Sequence, residues 1–63
     1  MKNGILATEI GLQLPLQVLK SERGFFIGTC DAEGPVSRES VEYFSSYQKA
    51  QEALDNELWI QRT

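Results

Sequence analysis

The side chains able to do chemistry are few. There is one cysteine, Cys30, and no histidine in the 63 residues. A thiol becomes a nucleophile through a base or a neighbour that lowers its pKa, and no imidazole is present to act as that base. In a strand, Cys30 reads as a small hydrophobe, because free cysteine is among the most buried residue types. A zinc site would have to be built from Cys30 and carboxylates alone, a poor ligand set for that metal. Glu39 with Glu42, or Asp31 with Glu33, could be cast as an acid–base pair. Such a pair needs a pocket of about 300 Å³ or more, which a chain this small rarely encloses. The sequence therefore predicts no catalytic residue, no metal and no cofactor, and a protein that is not an enzyme.

Two other constellations carry recognition chemistry. Ser37-Arg38-Glu39-Ser40 is a polar run inside well-patterned surroundings. Arg38 is a fork-shaped donor suited to a carboxylate or phosphate, with Ser37 and Ser40 as hydrogen-bonding helpers. The plainer alternative is an exposed strand face with an Arg–Glu pair worth well under ~1 kcal/mol. Arg23-Gly24-Phe25-Phe26-Ile27 partly matches the signature of RNA-binding sheets, but Phe26 stands where a small residue belongs. The aromatics Tyr43, Phe44, Tyr47 and Trp59 read as core or interface anchors, since Trp and Tyr are favoured where partners meet. The candidate interaction surface is Phe25, Ile27, Ser37, Arg38, Glu39, Ser40, Tyr43 and Trp59.

Composition narrows the classes. The chain is 41% hydrophobic and 24% charged, which fits a globular domain. Its net charge of −3 opposes duplex-DNA and anionic-membrane roles, which need a surplus of Lys and Arg. No segment approaches the ~20 apolar residues of a membrane span. Thr8 and Glu9 interrupt the apolar start before a signal-peptide core can form. A lone thiol without an export signal points to the reducing cytoplasm.

These residues must be positioned by a single small domain spanning 1–63. Residues 1–11 read as a flexible arm or edge strand, with Gly4 and Gly11 bracketing Ile5, Leu6 and Ile10. Leu12, Leu14, Leu16 and Val18 alternate with polar residues or proline, the period of a strand with one buried face. Pro15 places that strand at an edge, or marks its start. Ser21 to Gly24 forms a hairpin loop. Phe25 to Cys30 is apolar on both faces, as a central, doubly covered strand is, and Gly28 in its middle suggests close approach of another element. Asp31 to Pro35 is a second turn. A third strand covers Val36 to Phe44, with a bulge or bend near Glu39-Ser40. From Tyr47 the period becomes helical through Ala50, Ala53-Leu54 and Leu58, with Ser46 as N-cap, or Ser45 with Gln48 completing a capping box, and Asn56 as the left-handed end. Leu58 to Arg62 is most simply a last short strand, with a continued helix as the alternative.

The expected fold class is α+β: a three-stranded antiparallel meander, one helix packed on a sheet face, then a short C-terminal strand, in the order β-β-β-α-β. One helix covers one face only. The other apolar face of the central strand then needs the N-terminal arm or a second copy.

Gly24-Phe25-Phe26-Ile27-Gly28-Thr29, Gly34-Pro35-Val36-Ser37-Arg38-Glu39-Ser40, Tyr43-Phe44 and Trp59-Ile60-Gln61-Arg62 together resemble a group of short uncharacterised bacterial proteins from phage- and plasmid-derived regions. The resemblance runs from about Leu12 to Arg62. It implies a small accessory protein and supplies no catalytic motif. The expected function is a protein-binding or regulatory module, with an unidentified protein or a second copy as partner, the homodimer joined through the sheet. The alternative is a nucleic-acid-associated factor using Lys20, Arg23, Arg38 and Arg62 as a local basic patch.

Overall fold

A computed structural model describes residues 2–63; Met1, the first residue of the expected arm, lies outside them. The chain is α+β. Helix α1 (Ile5–Glu9) precedes strands β1 (Gln17–Ser21), β2 (Gly24–Asp31) and β3 (Gly34–Arg38), and helix α2 (Tyr47–Asn56) follows. The sheet is antiparallel with β2 in the centre. Two-residue turns join the strands, because Ser21 pairs with Gly24 and Asp31 with Gly34. Asp31 Oδ1 accepts from Glu33 N–H at 2.8 Å, and Ser21 Oγ donates to the Gly24 carbonyl at 3.1 Å. Side chains thus close both turns locally.

The strand alternation sends Phe25, Ile27 and Thr29 to one face and Phe26, Gly28 and Cys30 to the other. Both helices lie on the first face. Tyr47 of α2 meets Phe25 edge-on, with ring centroids 6.2 Å apart. Gly4, at the start of α1, abuts Thr29. Ala50 and Ala53 are the buried residues of α2, and Ala7 that of α1. The second face carries no helix. Tyr43 packs edge-on against Phe26 there, and the Arg38 guanidinium lies 4.8 Å from the Tyr43 ring centroid. Central placement and double cover of β2 follow the expectation, and within the chain the second cover is a loop rather than the arm.

Several boundaries differ from those expected. The N-terminal arm is docked, and it is a helix where a flexible or strand-like segment was expected. Gly4 N–H donates to the Leu14 carbonyl and Leu16 N–H to the Lys2 carbonyl. Asn3 and Pro15 form an isolated bridge. Segment 14–16 is therefore bonded to the arm, and regular pairing with β2 begins at Gln17. Gly11, at φ 87°, ends α1. Leu12 N–H reaches the Ala7 carbonyl and Gly11 N–H the Thr8 carbonyl, the paired bonds of a Schellman stop.

The third strand ends at Arg38, short of Phe44. Glu39 and Ser40 both donate their N–H to the Ile27 carbonyl, so the ladder breaks at the expected place. Phe44 then rejoins β2 as an isolated bridge to Phe25. Ser46 caps α2, accepting from Lys49 N–H at 3.2 Å. The left-handed residue after α2 is Glu57 (φ 57°), not Asn56, so Leu58 falls off the helical face and is 73% exposed. Among the described residues no C-terminal strand forms. The tail pairs only through an isolated Ser40–Gln61 bridge, with Val41 N–H on the Ile60 carbonyl and Arg62 N–H on the Glu39 carbonyl. A shorter tail pairing follows from the break at Glu39-Ser40, which leaves no regular edge for a full strand to join.

Gly28 marks the tightest approach in the sheet. A Cβ there would stand 2.2 Å from the Ser37 carbonyl oxygen and 2.9 Å from the Phe26 ring. Overpacking of this kind costs about 1–3 kcal/mol or more, against a total of roughly 3–5 kcal/mol for a domain this size. Gly28→Ala should therefore shift the urea midpoint sharply down in circular dichroism; an unchanged midpoint would refute the close approach.

Candidate binding groove

Glu39 organises the groove and its supports. Its side chain is fully buried. Oε1 accepts from Leu6 N–H at 2.9 Å and from the Gln61 amide at 2.8 Å. Oε2 accepts from Ala7 N–H at 3.1 Å and from the Ser37 hydroxyl at 2.6 Å. Because Ser37 gives its proton to Glu39, Thr29 donates in turn to Ser37 Oγ, at 2.6 Å. Burial pushes the Glu39 carboxyl up, yet donation from Ser37, Leu6, Gln61 and Ala7 outweighs it and holds the group below its ordinary value. Gly4 offers α1 no side-chain cap. Glu39 takes that role from 33 residues away.

Ser40, also fully buried, works beside it. Its Oγ accepts from Ile27 N–H at 3.0 Å and donates to the Glu42 carbonyl at 2.9 Å. The expected recognition patch Ser37-Arg38-Glu39-Ser40 is corrected on this point. Glu39 and Ser40 face inward, and Ser37 is spent on Glu39. The run is polar because it satisfies buried donors, not because it meets solvent.

Above this network a groove of about 760 Å³ opens on the helical side. Lys2, Asn3 and Ile5 form one wall, Gln51, Leu54 and Asp55 the other, and Glu57, Trp59 and Gln61 the end, with Leu16 below. An ion pair between Lys2 and Glu57 joins arm to helix end. Gln51 donates to the Asp55 carboxylate at 2.9 Å.

The remaining candidates are dispersed. Of the eight residues picked from sequence, Trp59 alone lines the groove. Ile27 is fully buried and Phe25 half-buried under Tyr47. Arg38 and Tyr43 form a pair on the opposite face, the guanidinium also donating to the phenol oxygen. Arg62 donates to the Arg38 carbonyl at 3.0 Å. Lys20 lies over the Phe25 ring on the helical face, so Lys20 and Arg38 occupy opposite faces of the sheet. Cys30 Sγ accepts from the Gln17 amide. Sequence reasoning missed Leu16, Leu54, Ile5 and Gln61 as lining residues. Among the described residues, no cluster of three or more His, Cys, Asp or Glu is grouped to hold a metal, and no helix is long and apolar enough to cross a membrane.

Comparison with protein-family models, with curated proteins and with solved structures finds no match for this chain.

The Glu39 network has a pH signature. A carboxyl held below its unfolded value contributes stability that is complete above the unfolded pKa of roughly 4.3, and that contribution is lost as pH falls through the folded value. Glu39→Gln keeps the shape but turns an NH₂ toward backbone N–H donors. It should cost about 1.5–3 kcal/mol at pH 7. The wild type should lose stability below about pH 4.3, and the variant should show a flatter profile there. Urea melts from pH 7 to pH 3 measure both, and parallel profiles would refute the assignment.

Proposed function

We propose that this chain is a non-catalytic protein-binding module whose contact surface lies on the helical side and the C-terminal tail. The observation that carries the reading is the distribution of apolar side chains. Among the described residues only two large ones, Phe26 and Ile27, are buried, while Ile5, Ile10, Leu12, Val41, Tyr47, Leu58 and Ile60 are exposed, from 38% to 73%. A domain with so small a core cannot spare apolar surface without a use for it, and exposed apolar groups beyond scattered singles mark interaction sites. On the helix-free sheet face Phe26 is 7% exposed beneath Tyr43. A contact through that face, as expected for a sheet-joined homodimer, would bury little that is now wet. The net charge of −3 further favours a different chain over a second copy. The resemblance to accessory proteins of phage and plasmid regions is consistent with this role.

Substituting Val41, Leu58 and Ile60 together by serine should change stability little, because all three are at least half exposed. The same triple variant should lose the proteins that the wild type retains from host lysate, as should Ile5→Asn. Retention of the same proteins by both variants would refute the reading. In sedimentation the chain should run near 7.1 kDa at about 0.1 mM; a concentration-dependent dimer would make the partner a second copy.

A further inference from the structure

We infer that the groove between α1 and α2 takes an extended, apolar segment of a partner protein that carries lysine or arginine. The inference rests on the protein-binding reading and assigns it a site and a ligand chemistry. The groove volume of about 760 Å³ falls within the ordinary range for a ligand site. Its apolar surface comes from Ile5, Leu16, Leu54 and Trp59, of which Ile5 is 56% exposed and so gains by being covered.

The polar groups select the occupant. Lys2 is matched by Glu57, so among the described lining residues the other acidic side chain is Asp55, which accepts from Gln51. A cationic side chain complements it; an acidic one is repelled by it and by the chain's surplus of carboxylates. The Gln61 amide nitrogen is committed to Glu39 and to the Arg62 carbonyl, which leaves its oxygen as an acceptor at the groove. The exposed Asn3 amide stands at the wall. Such amides can pair with the backbone of an extended segment, whereas a helix has satisfied its own backbone and offers them nothing. A second copy is a weaker fit, since it brings the same net charge of −3.

Trp59 is the only tryptophan in the chain and lines the groove, so its emission reports on this site alone. The probes are two blocked hexapeptides, one alternating leucine with lysine and the other leucine with glutamate. The full chain titrated with the leucine–lysine peptide should show a saturable Trp59 emission change below about 1 mM. The leucine–glutamate peptide should bind at least about tenfold more weakly. Raising salt from about 0.05 to about 0.5 M should narrow that gap. Asp55→Lys, an exposed change that leaves the apolar groove intact, should reverse the preference. Equal binding of both peptides, no emission change up to about 1 mM, or a preference unmoved by Asp55→Lys would each overturn the proposal. Failure here together with capture lost in the Val41, Leu58 and Ile60 variant would place binding on the tail and leave the protein-binding reading intact.

Discussion

One buried carboxylate holds this fold together. Among the described residues Glu39 has no ion-pair partner, and four hydrogen bonds stabilise its charge. Their donors come from α1, from β3 and from the C-terminal tail. A buried charge is tolerable only when so surrounded, and the network is cooperative in the sense that each donor would be costly to leave unpaired. The arrangement also explains why α1 exists. Five residues are too few to be stable alone, and Gly4 provides no cap. The helix forms because a residue of the sheet end receives its first-turn N–H groups.

The polar hub compensates for a meagre apolar core. With no disulfide partner for Cys30, the chain joins its segments by buried hydrogen bonds: Thr29 to Ser37, Ser37 to Glu39, Ser40 to Ile27 and Glu42. Each is worth about 1 kcal/mol net, but losing one partner costs more. The apolar residues are thereby released from the task of holding the ends of the chain. Ile5, Leu58 and Ile60 sit close to those ends and stay in water.

Legibility in the sequence followed the range of the interactions. The central strand Phe25 to Cys30, the two turns, the close approach at Gly28 and the Ser46 cap were readable because alternation, turn chemistry and capping are local. The break at Glu39-Ser40 was readable too, as a failure of alternation. Its meaning was not. A polar run in a strand looks the same whether it faces solvent or satisfies donors 33 residues away, and Glu39 does the latter. For the same reason α1 is hidden in the sequence of residues 1–11: its cap is not adjacent. Gly11 was the one local clue, a left-handed stop after Ile5 to Ile10. Leu58, Trp59 and Ile60 alternate as a short strand would, but their alternation divides groove from solvent, with Trp59 in the groove and Leu58 and Ile60 exposed.

The groove and the hub share their parts, and this joins stability to recognition. Ile5 forms one wall next to Leu6 and Ala7, whose N–H groups are held by Glu39. Gln61 forms the end beside Trp59, and its amide is held by the same carboxylate. These two parts of the groove come from opposite ends of the described residues. The two oxygens of Glu39 thus tie the α1 wall to the tail end of the groove, alongside the Lys2–Glu57 ion pair. A site made from both termini cannot be seen in either terminus alone. It becomes visible only once Glu39 is recognised as the residue that places them.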